Sequence, residues 1–279
     1  MMKETRAKYL AVDKLRPFDE HPFKVVDNEE MDQLTWSILT QGLLTPLVVR
    51  PLDNGEYEVI SGHRRLHACK KAGIETVPAL ITDMDRDVAA IALVDSNLQR
   101  EHILPSEKAY AYKLKLEAMN HQGRTSGQVG QKWTRDEIAE GESGRQVQRY
   151  IRLTNLIPGI LQKVDEGRIA LTPAVELSYL TEWEQRDLLE TMESEDCTPS
   201  LSQAIQMKAL SQSGQLDMDK IFSIMTQPKA NQQEKISFKV AELRDFFPRY
   251  YTAAQMMQEI KVALKERQQR LARQRDHSR

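Results

Sequence analysis

Gly62-His63-Arg64-Arg65 stands where an apolar extended run, EYEVI, gives way to a stretch with Leu66, Cys69 and Ala72 on one side and Gly73 as its stop. A glycine at a strand-to-helix junction lets the backbone approach a ligand closely, and the amides after it point outward at the positive end of the helix dipole. Cations are disfavoured at that end. Paired guanidiniums placed there therefore suit an anion, which they can grip in bidentate fashion as lysine cannot. The chemistry suggested is phosphate binding. The plainer alternative is an exposed basic first turn paired with nearby acids. A second stretch, Asp95-Ser96-Asn97-Leu98-Gln99-Arg100-Glu101, gathers carboxylates, amides and a guanidinium at the end of an expected helix. Such a set could close over phosphates and offer oxygens to Mg²⁺, which binds through few protein groups and the phosphates themselves. Taken alone, polar capping of a helix end explains it more simply.

A third constellation lies in KWTRDEIAEGESGRQVQRYIRLTNL, from Lys132. Ser143, three residues before Gln146, has the pattern of a capping box and predicts a helix from Gly144. Val147, Tyr150 (or Ile151) and Leu153 then face inward, leaving Arg145, Gln146, Gln148, Arg149 and Arg152 on the other surface. A short helix over 135–140 and a turn at Gly141 complete a helix-turn-helix pattern. Arginine and glutamine are the residues that read guanine and adenine edges in a major groove, and some of these arginines would hold backbone phosphate instead. An ordinary basic amphipathic helix is the rival reading.

The elements that must position these groups can be sketched from the pattern. Asn28 caps a helix whose apolar Met31, Leu34 and Ile38 fall three and four apart, with Gly42 past its end. LVVRPL, Asp53-Asn54-Gly55 and EYEVI predict a hairpin, since Asn and Gly both tolerate positive φ. TVPALIT is a further strand, RDVAAIALVDSN a helix, and Pro105 suits the first turn of a helix reaching about Met119. HQGRTSGQVGQK, 121–132, is polar and glycine-rich and is expected to be a linker or mobile loop. Short helices follow, punctuated at Pro158-Gly159, Gly167, Pro173 and Pro199. SQSGQLD and TQPKANQQEK form a second linker region before a small terminal module, where Phe246, Phe247, Tyr250 and Tyr251 around Pro248 are expected to make a small core.

The totals limit the classes of function. The chain has 279 residues, 40% hydrophobic and 29% charged, enough for two or three domains with real cores. No apolar run approaches the roughly 18 residues of a membrane helix, and the N-terminus leads into no signal core, so a cytoplasmic protein is expected. Cys69 and Cys197 form no CxxC, and His67, His102, His121 and His277 have no ligand spacing, so neither a disulfide framework nor a zinc site is supported. A net charge of −2 argues against coating nucleic acid by bulk charge. Local basic patches exist instead, in GRQVQRYIR and in the seven Lys or Arg from Lys261 onward, while 181–196 is strongly acidic. Lys14 and Arg16 could touch phosphate. Tyr179 and Trp183 are expected to be core or packing residues.

Taken in order, GHRRLHACKKAG, VPALI and ALVDSNLQREHILPSEKA resemble the ParB family of chromosome and plasmid partition proteins. LRPFDEHPF and GLLTPLVVRP extend the likeness, which spans roughly 8–215. The resemblance implies an α+β ParB/sulfiredoxin-like nucleotide-binding domain over 1–119, an all-α helix-turn-helix domain over 120–215 and a C-terminal module over 216–279 for dimerisation or DNA contact. It implies CTP and Mg²⁺ as ligands, with CTP closing the N-terminal domains of a dimer into a clamp around DNA: Gly62, His63, Arg64 and Arg65 at the triphosphate, and Asn97, Gln99, Arg100 and Glu101 completing the pocket. Asn97 and Asp95 would serve the metal, and Gly42 to Pro46 would lie near the base. Arg145, Gln146, Gln148, Arg149 and Arg152 would meet DNA. Implied partners are double-stranded DNA with a specific palindromic site, a ParA-type ATPase and a second copy of the chain. The implied location is the bacterial nucleoid or a plasmid. No catalytic residue is assigned, and slow CTP hydrolysis is a hypothesis. His63 stands where the family has glutamate, and Asp95-Ser96 replaces the glutamate before Asn97. Sulfiredoxin-type chemistry is excluded, because Gly62 occupies the place of its cysteine and Cys69 lies about two helical turns along. The rivals are a regulator or maintenance factor of a mobile element without a nucleotide switch, and a nuclease on the same fold.

Overall fold

A computed structural model of the chain describes residues 7–125, 142–227, 243, 246–248 and 250–276. The chain forms two compact units, Met1–Gln227 and Pro228–Arg279.

The first unit begins with a mixed sheet of β1 (Lys8–Ala11), β2 (Leu15–Pro17), β3 (Leu47–Pro51), β4 (Tyr57–Ser61) and β5 (Thr76–Ile81), in the order β1-β5-β3-β4-β2. β3 and β4 pair antiparallel, as the hairpin signal predicts. Only Gly55 takes a positive φ, 79°, while the Asn54 side chain accepts from the Glu56 amide at 3.0 Å. A longer, side-chain-braced loop thus replaces a two-residue turn. β1 and β2, which the sequence pattern did not announce, close the two edges against β5 and β4. Each is too short for alternation to stand out.

Four helices complete this half: α1 (Glu29–Gln41), α2 (His63–Lys71), α3 (Arg86–Leu98) and α4 (Pro105–Thr125). The Asn28 cap is formed, with Met31 N–H donating to its Oδ1 at 3.1 Å, and Gly42 ends α1 with φ 76°. Alternation along β3 and β4 sends Val49 and Val59 into one core with Met31, Leu47, Leu66 and Cys69. Ile60 joins a second core with Phe18, Phe23, Leu93, Val94 and Leu114. α2 therefore starts between the two cores, at the end of a strand held on both sides.

α4 runs to Thr125, past the expected end near Met119 and into the first residues of the supposed linker. Its Ala111, Leu114 and Ala118 lie in the second core, whereas Ala109 joins the helical core that follows. That core gathers Leu153, Ile160, Leu177, Leu188, Met207 and Ile221 from α5 (Gly144–Arg152) with its 3₁₀ extension, α6 (Pro158–Asp165), α7 (Leu171–Leu177), α8 (Glu182–Ser194), α9 (Leu201–Gln212) and α10 (Met218–Met225). The architecture is α+β followed by an all-α region. The short helix expected over 135–140 and the turn at Gly141 lie outside the described residues. So do 126–132 of the first linker and 228–235 of the second.

Of the second unit, α11 (Ala253–Asp276) is the long basic helix expected at the tail. Phe247 and Tyr251 stack with ring centroids 6.1 Å apart, but Phe246 and Tyr250 are 79% and 81% exposed. The small aromatic core is therefore half formed. Trp183, expected to pack, is also exposed, under the Arg186 guanidinium.

Candidate functional site

Ser61, Gly62, His63, Arg64 and Arg65 from the β4–α2 junction and Ser96, Asn97 and Arg100 from the end of α3 line one cleft of about 240 Å³. Gly62 is the N-cap of α2 with φ 105° and ψ 26°. A Cβ at this position would stand 2.5 Å from Leu47 Cδ2, part of the buried sheet, and 3.1 Å from Arg65 Nη2. Glycine is required by both conformation and space. Having no side chain, it cannot satisfy the first amides of α2, which lack partners within the helix and face outward with the dipole.

Arg64 and Arg65 are held differently. Arg65 Nη1 donates to the backbone oxygens of Thr45 and Pro46, at 2.5 and 3.0 Å. The end of the GLLTP segment, Thr45-Pro46, thus touches one of the lining guanidiniums. Arg64 Nη2 reaches Glu30 Oε2 of α1 at 3.0 Å, in a pair with both side chains open to solvent. Such pairs contribute about 0.2–1 kcal/mol, so a phosphate could readily displace it. Arg100 lies over the Phe23 ring, 5.6 Å from its centroid. Burial first and the Arg64 charge second hold the Arg100 guanidinium below its ordinary value, and burial does the same to Arg65. Among the described residues, the lining carries these three guanidiniums and no carboxylate. The cations crowd one another, and an anion would relieve them.

His63 is a special case. Its Nε2 accepts from the Phe18 amide at 3.3 Å, and its ring lies 3.8 Å, centroid to centroid, from that of His21. Burial, then His21 and Arg100, depress its pKa to about 3, so at neutral pH it lines the cleft as an uncharged ring. His21, likewise depressed mainly by burial, had no sequence signal, because nothing local links it to a helix start 42 residues on in the numbering (63 − 21).

The second stretch divides. Asn97 is buried at the cleft and donates Nδ2–H to Leu93 O at 2.8 Å, leaving its own oxygen available. Gln99 is the C-cap of α3 and, like Glu101, is not among the lining residues. Asp95 Oδ1 instead binds the buried Lys115 ammonium of α4 at 2.5 Å. Asp95 thus ties α3 to α4. Among the described residues no group of three or more His, Cys, Asp or Glu is gathered to hold a metal. Arg16, offered as a phosphate contact, is engaged by Glu56.

α5 starts at Gly144 with Ser143 accepting from the Gln146 amide at 3.3 Å. The reciprocal half of the box is replaced, since Gln146 Oε1 accepts from Arg149 Nη1 at 3.1 Å. Val147 and Leu153 are buried and Tyr150 packs beside them. Arg145 is exposed, Gln146, Gln148 and Arg149 are part-exposed, and Arg149 also reaches Thr172 Oγ1 at 2.6 Å. Arg152 turns away from this group. It donates to Ser178 O at 2.7 Å and lies 3.9 Å from the Tyr179 ring centroid.

With this geometry in view, comparison with known families is decisive for the N-terminal part: residues 1–98 match the ParB N-terminal domain family. The match takes in the sheet, α2 and α3. It is 35% identical over 181 residues to the chromosome-partitioning protein Spo0J of Thermus thermophilus, covering 63% of this chain and 62% of that protein. A nucleoid occlusion protein of Listeria innocua is 34% identical over 188 residues, 66% of this chain and 62% of the relative. The matches thus span about three fifths of each relative's length. Among solved structures, C-terminally truncated ParB from Caulobacter crescentus complexed to the centromeric parS site aligns at 22% identity with a TM-score of 0.43, over 74% of this chain and 99% of that one. β4, α2 and the end of α3 are the elements that make the cleft.

Proposed function

We propose that this ParB-like chain is a sequence-specific DNA-binding partition protein of 1–119 nucleotide, 120–215 DNA-binding and 216–279 terminal parts, working as a dimeric DNA clamp gated by CTP, which binds with Mg²⁺ in the N-terminal cleft. The observation that carries the nucleotide half is the cleft lining: three guanidiniums and the open start of a helix, with no lining carboxylate. Gly62 admits the phosphate chain against backbone amides, Arg64 and Arg65 neutralise it, and Arg100 and Asn97 close the far side. When bound, Mg²⁺ would supply further charge neutralisation, with Asn97 Oδ1 its protein oxygen and the nucleotide providing the rest. Asp95, the other metal candidate, is occupied by Lys115, which favours a metal held chiefly by phosphate. Gln99 and Glu101 follow the end of α3 and are proposed to close over the ligand. On the helical side, Arg145, Gln146, Gln148 and Arg149 are the proposed DNA-facing set. The likeness to chromosome-partitioning proteins supports a ParA-type ATPase as partner and the bacterial nucleoid or a plasmid as location.

The test is titration with each of the four nucleoside triphosphates, with and without DNA. CTP should bind, and Arg64→Ala should abolish that binding while leaving DNA binding largely intact. No heat with CTP would refute the reading, and equal loss of both activities would refute the division of labour. A second reading, a DNA-binding regulator or maintenance factor without a working switch, is favoured by the same two departures, the neutral His63 and the Lys115-bound Asp95. Nucleotide-dependent trapping on closed circular DNA separates the two. Strand scission with Mg²⁺ would instead indicate a nuclease.

A further inference from the structure

The four residues His21-Pro22-Phe23-Lys24 touch both the cleft and the helical layer. At the cleft end, the His21 imidazole lies on that of His63 and meets the Phe23 ring edge-on, centroids 5.8 Å apart. Arg100, a lining residue of the cleft, rests on the Phe23 ring. One residue further, the Lys24 amide donates to Glu107 Oε1 at 2.8 Å and its ammonium reaches Asp165 Oδ2 at 3.3 Å. Both carboxylates also hold the start of α4. Glu107 Oε2 accepts from the Leu104 amide at 3.1 Å, and Asp165 of α6 accepts from the Ser106 amide at 2.9 Å and its hydroxyl at 2.6 Å. The amides of Lys24, Leu104 and Ser106 are thus fastened by two carboxylates, one on α4 and one on α6.

We propose that residues 21–24 are a strap through which occupation of the cleft is transmitted to the joint between α4 and α6, with Phe23 as the residue that positions Arg100 and Lys24 as the lock. The inference rests on the phosphate-binding reading of the cleft and adds how that cleft is regulated. A ligand shifts a conformational equilibrium only through contacts that differ between the two states, and here the contact that differs is Arg100's. A cation over a ring face is a weak hold, whereas guanidinium–phosphate bonds are charge-assisted and stronger. Burial and the neighbouring Arg64 already disfavour the Arg100 charge where it lies. Phosphate in the cleft therefore draws Arg100 from the Phe23 ring, the strap loses its clamp at one end, and the bonds at Lys24 loosen at the other.

Hydrogen exchange at single-amide resolution on the full chain, with and without CTP·Mg²⁺ as probe, reads the strap directly and needs no knowledge of a DNA site. The amides of Lys24, Leu104 and Ser106 should exchange at least about tenfold faster when nucleotide is bound, as expected for local opening of a cooperative segment. In Lys24→Met the exposed ammonium is lost while the amide remains. Ser106 should then exchange fast even without nucleotide, with little further response, and CTP affinity measured by calorimetry should rise by about 1.4- to 5-fold, because the exposed pair that the ligand must otherwise loosen is already gone. Phe23→Leu, which largely keeps the core volume, should also uncouple the three amides while CTP still binds. Unchanged or slower exchange at all three amides in the original protein, with CTP bound and protecting 61–66, overturns the strap and leaves the cleft standing. No binding heat at all overturns the cleft, and the strap with it.

Discussion

Replacing Glu30 by glutamine should tighten nucleoside triphosphate binding, although Glu30 is not itself part of the cleft lining. Glu30 Oε2 holds Arg64 Nη2 at 3.0 Å, with the two side chains 70% and 39% exposed. A phosphate that takes Arg64 must first break this pair. Exposed ion pairs contribute about 0.2–1 kcal/mol, and removing the competitor returns that amount to the ligand, about 1.4- to 5-fold in affinity. The lost acidic charge would also have repelled the phosphates, an effect that salt screens over about 10 Å at 0.1 M. The gain should therefore be larger in calorimetric titrations at low salt than at high salt. Glu30 lies in the first turn of α1, so the substitution also costs the helix a few tenths of a kcal/mol of dipole stabilisation, which a thermal melt run in parallel will show. Unchanged or weaker CTP affinity at low salt, with the melt nearly unmoved, would mean that Arg64 does not carry the phosphates.

Asp95→Asn leaves the buried Lys115 ammonium without its carboxylate and should cost about 1–3 kcal/mol in urea unfolding, while CTP affinity changes little; a large affinity loss with normal stability would return Asp95 to the cleft. His63, depressed to about 3 in the folded state, favours its neutral form there. Folding stability that it contributes is present above the unfolded imidazole value near 6.5 and is lost as pH falls from there toward 3, by about 1.4 kcal/mol between pH 7.5 and 5.5 for one group. His63→Asn should flatten that part of the curve, and an unchanged slope would refute the assignment. Arg152→Ala should lower stability by about 1–2 kcal/mol through its bonds to Ser178 and its contact with Tyr179. Arg145→Ala should instead weaken DNA binding without shifting the melt. The reverse pattern would exchange their roles.

The parts of the site that were legible in the sequence are those fixed locally. A glycine that must take φ 105° beside a strand end, a cap at Asn28 and a helix opening at Gly144 are all written within a few residues. Groups whose partners are distant in sequence were not legible. Asp95 and Lys115 meet only because α3 packs on α4, and from α3 alone the carboxylate is equally suited to a metal. His21 reaches His63 only once β2 has paired with β4. Arg152 has the spacing of a DNA-facing residue, but α7 ends where its guanidinium would otherwise swing free. The aromatic residues near Pro248 show the limit of composition: four rings stand within six residues and touch in part, yet Phe246 and Tyr250 stay largely exposed.

The Tyr179 ring is pressed between two cations, Arg152 at 3.9 Å and Lys208 at 3.7 Å, and Lys208 is in turn tied to Glu176. The outward-facing helix is thereby bolted at its far end to two neighbours, so it cannot swivel without dragging them along. Its angle of presentation is inherited from packing well behind it. Under the proposed DNA-reading role, preference would drift by exchanging individual exposed side chains on a fixed platform, whereas a change at Lys208 would disturb every target alike.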